Sequence, residues 1–272
     1  MIALLAADWL KMRHRWMPRV LILILLAIVV LVFFGISSRG RNISALVLPD
    51  GLVIALSLAA GFAAFLWPVL AGSWAGNEYG WGTVRMVLTR RPNRLEFSLS
   101  GLVIVLLVVG LALLLVTVVG AIMGEIVGAV HSGVKAATGT SNAGSVIVQM
   151  FFAAWYTSAF YAVLAYTAGA VFRSAPAGIG IGIGFAVAQA AVSGIFSALG
   201  DPWQSIAQHF PDAYTTGLTG KIARELVTTG PFARDTTTSQ PSITASIIAL
   251  AIYLAVLLAV MLGSVYRRDV TS

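Results

Sequence analysis

Few residues in this chain have the type and spacing to do chemistry. There is no cysteine, so disulfides, thiolate metal sites and cysteine nucleophiles are excluded. The three histidines, His14, His131 and His209, all fall outside the long apolar runs. A haem or metal centre inside a helical bundle draws its ligands from facing helices. Neither an HExxH nor a GxSxG string occurs, which removes the usual zinc-hydrolase and serine-hydrolase signatures. A phosphate-cradling P-loop reads GxxxxGK[ST], so that backbone N–H groups and a lysine meet the phosphates. The nearest string, Gly217-Leu-Thr-Gly220-Lys221-Ile222, lacks the spacing and the hydroxyl. The expectation is a chain that is not an enzyme by itself and holds no metal or cofactor.

The elements around these residues are apolar. Of 272 residues, 59% are hydrophobic and 10% charged, and mean hydropathy is +0.93. Soluble domains carry about 25% charged residues, so most of this chain is expected to face lipid or other apolar helices. Six stretches are long enough to cross a bilayer, at about 19–37, 51–74, 98–124, 146–172, 177–199 and 243–265. In hydrocarbon each must be a helix, because every backbone polar group needs an internal partner. The first run is long enough to span, and no small-residue cleavage site follows it, so it does not read as a cleavable signal. The fold class is all-α: a polytopic membrane protein of six transmembrane helices.

Charge placement orients them. With the N-terminus in the cytoplasm, Lys11, Arg13, Arg15, Arg19, Arg85, Arg90, Arg91, Arg94, Arg173, Arg267 and Arg268 lie inside. Arg39, Arg41, Lys135, Lys221, Arg224 and Arg234 lie outside, where six acids cancel them. The whole net charge of +7 is then cytoplasmic, and so are both termini. Nucleic-acid binding would have to recruit these same residues, and no nucleic-acid partner is expected.

The protruding segments carry more information than the spans. Residues 1–17 read as an amphipathic interfacial helix, with Ile2, Leu5, Trp9, Met12 and Trp16 on one face and Asp8, Lys11 and Arg15 on a wet one; the plain alternative is a basic flank that sets topology. Pro18 allows a bend into the first span. In the cytoplasmic loop 75–97, Gly76, Gly80 and Gly82 are expected to break the second helix. Thr83 can cap a short helix whose apolar face is Val84, Val87 and Leu88, ended by Arg91-Pro92. This is a docking knob with a cationic rim, or else a solvated linker. Pro176 suits the start of the fifth span, after a short turn at Arg173 and Ser174. The outer segment 200–242 is either a cover over the membrane rim or a connecting loop, and 125–145 is a smaller polar one.

Inside the spans, Gln149, Gln189 and Thr117 read as interhelical hydrogen bonds. Gly178, Gly180, Gly182 and Gly184 read as helix-packing positions, and Pro68 as a kink. Ion-coupled carriers place ionisable groups near the midplane, and these spans hold almost none.

The order of parts resembles the membrane subunit, or permease, of ABC-2-type ABC transporters. The resemblance rests on Glu78-Tyr-Gly-Trp-Gly82-Thr83-Val84-Arg85-Met-Val-Leu88-Thr89-Arg90-Arg91-Pro92-Asn93-Arg94 and, more weakly, on Asp8-Trp-Leu-Lys11-Met-Arg13. The second string looks like that family's N-terminal elbow helix, with aspartate where glutamate is common. The resemblance implies a single ABC-2-type transmembrane domain over 1–272, two copies of a separate ABC ATPase that bind ATP and Mg, and a second permease, an identical copy or a pseudo-symmetric one. Carried onto this sequence, it makes Thr83, Val84, Arg85, Val87, Leu88, Thr89 and Arg90 the ATPase-coupling helix, with Arg173 and Ser174 a second, smaller contact. Glu78 would steady the loop base with Arg13, Arg85 or Arg94, and spans two and five would face the pathway. The implied function is an exporter of an amphipathic or hydrophobic substrate (a peptide antibiotic, drug or lipid-like molecule) in the plasma membrane of a prokaryote. The alternatives are an ATP-independent secondary carrier and a non-transporting anchor or regulatory subunit of an envelope complex.

Overall fold

The computed structural model describes residues 2–40, 42–80, 94–131, 134, 142–224 and 241–267. In order, its helices are α1 (Ile2–His14), α2 (Trp16–Ser37), α3 (Asp50–Gly80), α4 (Arg94–Val130), α5 (Ala143–Phe172), α6 (Ala175–Leu199), α7 (Trp203–Ala207), α8 (Pro211–Arg224) and α9 (Ile243–Arg267), with a 3₁₀ turn at Ile43–Ala45. Six of them, α2, α3, α4, α5, α6 and α9, are long and apolar enough to cross a membrane. The chain is an all-α polytopic membrane protein.

Burial separates inner helices from outer ones. In the most apolar stretch of α5, 61% of residues are buried, and in α3 56%, against 17% each in α6 and α9. α3 packs against α4, α5 and α6 and forms the centre of the bundle. On α2, Pro18, Leu21, Leu25, Val29 and Phe33 are the buried residues; their three- and four-residue spacing is one helix face. On α9, Ile248, Ile252 and Val256 are exposed, as a lipid-facing stripe requires.

Two helices overrun the expected spans. α3 has 31 residues and α4 has 37, or about 46 and 55 Å at 1.5 Å per residue. Both exceed a hydrocarbon core of ~30 Å. α3 therefore runs through Gly76, which does not break the second helix; it ends at Gly80, and Gly82 lies outside the described residues. Gly76 lies inside α3, and a Cβ there would fall on the backbone of Ser174 and Ala175. Close helix contact, not chain reversal, is what this glycine permits.

The hinge before the first span lies three residues ahead of Pro18. α1 ends at His14, and Arg15 is extended (φ −79, ψ 138) as the N-cap of α2. Pro18 sits in the first turn of α2. It has no N–H to offer the His14 carbonyl, and its ring would clash with that carbonyl. A continuous helix is thus interrupted at Arg15, not at the proline itself.

In the segment 200–242, most of the described residues are helical, in α7 and α8. The ring of Phe196 on α6 lies 5.3 Å from Trp203 and 6.0 Å from Phe210. The Tyr253 hydroxyl donates to the His209 carbonyl at 3.1 Å. α8 buries Pro211, Thr215, Leu218 and Ile222 along one face and packs against α3, α5, α6 and α9. It closes the end of the bundle opposite α1.

Of the three polar groups expected to bridge helices, one does so. Gln189 Nε2 donates to the Tyr161 hydroxyl at 2.8 Å. The Thr117 hydroxyl donates to Leu113 in its own helix, and Gln149 is exposed.

Candidate functional site

α1 is held by its polar residues. Asp8, Lys11, Met12 and Arg15 recur at the spacing of one helix face. That face turns inward: Asp8 and Met12 are buried, whereas Trp9, Leu10 and Trp16 are exposed. The expectation of a wet polar face is corrected. In an interface, exposed aromatic and apolar groups are compatible with headgroups, and the charges are better satisfied by charges of the bundle than by apolar neighbours.

The partners come from α3 and α4. Lys11 Nζ donates to Glu78 Oε1 at 2.5 Å. Arg15 Nη2 lies 3.5 Å from the same oxygen, and the Glu78 side chain is only 6% exposed. The Ser100 hydroxyl donates to Asp8 Oδ2 at 2.7 Å. Both cations also face the Trp74 ring, with Arg15 Cζ at 4.4 Å and Lys11 Nζ at 5.6 Å from its centroid, within cation–π reach. The Ser73 hydroxyl donates to the Met17 sulfur at 3.1 Å. Two acids and two bases thus balance in one small cluster, and three segments of the chain meet there.

α4 fits closely against this cluster because of Gly101. A Cβ there would lie 2.6 Å from the Tyr166 hydroxyl and 3.0 Å from Trp74 Nε1. Tyr166 on α5 donates to the Ser98 carbonyl at 2.9 Å, fastening α5 to the same end of α4.

Burial sets the electrostatics. It pushes the Asp8 carboxyl above its ordinary value, and Glu78 adds to the rise, while the Ser100 hydroxyl, Lys11 and Arg15 oppose it. Burial pulls Arg15 down, against Glu78 and Asp8. The folded state therefore binds the Asp8 proton more tightly than the unfolded chain does. The corresponding stability is full below the ordinary value of 3.8 and is lost as pH rises through the raised one. Asp8→Asn keeps an acceptor for Ser100 without a charge. The melting temperature of Asp8→Asn relative to wild type should rise as pH is taken upward from that ordinary value. A difference that stays flat with pH would show that the carboxylate is not desolvated.

The turn from α5 to α6 abuts the same region. Arg173 has φ +53, a left-handed conformation that glycine usually supplies at a helix end, and the Ser174 N–H donates to the Gly169 carbonyl at 3.2 Å. Ser174 rests against Gly76, two residues before Glu78. Arg173, Ser174 and Glu78, three of the expected site residues, are thus brought to one end of the bundle. Thr83, Val84, Arg85, Val87, Leu88, Thr89 and Arg90 lie outside the described residues. Arg94 opens α4, and its side chain also lies outside them. The partners of Glu78 are Lys11 and Arg15; Arg13, one of the expected partners, instead offers its carbonyl to Arg19 Nη2 at 2.6 Å. Lys11, Arg15, Trp74 and Ser100 were not singled out as partners from sequence, although the shared face of Asp8, Lys11 and Arg15 was a usable signal.

The four glycines of α6 divide into two pairs. A Cβ on Gly178 would lie 2.8 Å from Gly72 Cα and 2.9 Å from Gly169 Cα, and one on Gly182 would lie 2.7 Å from Pro68 Cβ. Among the described residues, nothing lies within 4 Å of such a Cβ on Gly180 or Gly184. Of these four, packing among the described residues uses Gly178 and Gly182, against Gly72, Gly169 and Pro68.

Among the described residues there is no group of three or more His, Asp and Glu that could hold a metal ion. The cluster fixes α1 to the end of α3, from which the chain enters the segment 81–93. The family model described as "Protein of unknown function (DUF2705)" matches residues 25–271. No curated protein and no solved structure matches the chain.

Proposed function

We propose that this chain, which belongs to the DUF2705 family, is the permease subunit of an ATP-driven exporter in a prokaryotic plasma membrane. Its ATPase would be a separate ABC subunit, present in two copies, and a second permease would complete the pathway. The observation that carries this reading is the ionic attachment of α1 to Glu78. A helix anchored at the interface and clamped to the end of α3 gives the following segment a firm base, which a contact with a moving partner requires. The scarcity of charged side chains in the middle of the spans favours an amphipathic or hydrophobic cargo over a small ion.

In this mechanism ATP closes the partner subunits. Their motion presses on residues 83–90 and on the Arg173–Ser174 turn, and both pushes enter the bundle through α3. The proposal predicts that an ATP-binding subunit accompanies the full chain when it is isolated from its native membrane. Recovery without one would overturn it. Val84→Asp combined with Leu88→Asp should abolish that association while membrane insertion stays normal. Unchanged association would remove the coupling role from these residues.

A further inference from the structure

At the end of the bundle away from α1, a cavity of about 480 Å³ lies between α3, α5, α6 and α8. Its volume is within the ~300–1,000 Å³ range of small-molecule sites. One wall is apolar, with Leu58, Phe62 and Phe65 of α3. The two phenylalanines are also exposed, so this wall continues out to the lipid-facing surface. The other wall carries Thr157, Asp212 and Arg224.

Two of these polar residues hold unused hydrogen-bonding capacity among the described residues. The Thr157 hydroxyl is buried without a partner, and so are Nε and Nη2 of Arg224. Those two nitrogens form the side edge of the guanidinium, whose parallel N–H groups match the two oxygens of a carboxylate or phosphate. Asp212 is already engaged in an interaction of its own. Leaving buried donors unmade costs free energy, and an unpaired guanidinium edge beside an apolar, lipid-accessible wall matches one class of molecule.

We propose that this cavity binds an anionic amphiphile, with its carboxylate or phosphate in the fork of Arg224 and its apolar tail along Leu58, Phe62 and Phe65. The site is built within one chain and does not depend on an ATPase partner, so its test stands apart from that of the transport reading.

The test uses the full-length chain purified in a nonionic detergent, with dodecyl phosphate as the probe and isothermal titration calorimetry as the readout. Saturable binding of one molecule per chain is expected. Arg224→Gln should weaken it at least about tenfold, and Arg224→Lys, which keeps the charge but not the fork, about threefold. Thr157→Val, nearly isosteric, should also weaken it about threefold, which keeps the test decisive should Arg224→Gln fail to fold. Lys221→Gln removes the same charge from the same helix outside the cavity and should leave binding unchanged. Equal losses for Lys221→Gln and Arg224→Gln, or equal affinity for dodecyltrimethylammonium, would overturn the proposal. Inorganic phosphate binding as tightly as dodecyl phosphate would overturn its apolar half. Competition by phosphatidylglycerol but not phosphatidylcholine would assign the ligand to the bilayer, and no competition would assign it to an amphiphile from elsewhere.

Discussion

Glu78→Ala is expected to detach α1 from the bundle. The substitution leaves Lys11 and Arg15 without the carboxylate that both approach. Their side chains are 32% and 19% exposed, so solvent relieves part of the cost. Removing one member of a fully buried pair costs 3–5 kcal/mol, and this partly wet cluster should lose about 2–3 kcal/mol. Because 1.4 kcal/mol is a factor of ten, the open state of α1 should become about 30-fold or more populated. Trypsin cleavage at Lys11, Arg13 and Arg15 reads this opening directly, and cleavage rates should rise in proportion. Glu78→Gln keeps the shape and an acceptor, and should lie between. If Glu78→Ala is cut no faster than wild type, α1 is held by its apolar contacts alone and the ionic junction has no mechanical role. An isolated exposed ion pair would be worth under ~1 kcal/mol. The larger figure here follows from burial of Glu78 and from the Trp74 ring beneath both cations.

The second large effect contrasts two glycines one turn-half apart. Gly178→Ala places a methyl against the backbones of two helices, at 2.8 Å from Gly72 Cα and 2.9 Å from Gly169 Cα. Backbone cannot rotate aside as a side chain can. α3, α5 and α6 would have to separate, and the loss is expected to be about 3 kcal/mol, at the upper end of overpacking costs. Gly180→Ala meets nothing within 4 Å among the described residues. Alanine is the better helix former, so this variant should be neutral or stabilised by up to about 1 kcal/mol. Thermal unfolding in one detergent measures both. Equal melting temperatures would mean that the seam of Gly72, Gly169 and Gly178 is not closely packed. The same comparison at Gly182 and Gly184 should split in the same direction, since only Gly182 faces Pro68 and Ala165.

These contrasts mark the limit of what the residues disclose singly. The string Gly178-Ile-Gly180-Ile-Gly182-Ile-Gly184 announces close approach, but its two-residue spacing puts alternate glycines on opposed faces of a helix. Which pair is used depends on where α3 lies. The same holds for Gly76. A glycine near the end of an apolar run reads equally as a helix stop and as a contact position, and only the neighbouring turn at Ser174 distinguishes them.

The junction at α1 was half legible. The spacing of Asp8, Lys11 and Arg15 defined a face, and their charges suggested water as its environment. That inference weighs each residue against solvent alone. Glu78 and Ser100 are 67 and 92 positions away from their partners, and their presence makes burial of the same face favourable. Arg224 shows the converse. On composition it was one more outer cation that set topology, whereas packing of α8 across α3, α5 and α6 places it in a cavity wall.

The sequence by itself determined the six-helix, all-α membrane architecture. Long uninterrupted apolar runs admit no other structure in hydrocarbon, where each backbone group must bond within its own segment. It also determined the break before the first span, because Pro18 cannot continue α1. What only the tertiary structure decided was which faces meet: the inward turn of α1, the choice of Gly178 and Gly182, the depth of α3 and α5 in the bundle, and the cavity under α8. Those outcomes depend on partners far apart in the chain, and no local pattern encodes the position of a helix that is not yet beside it.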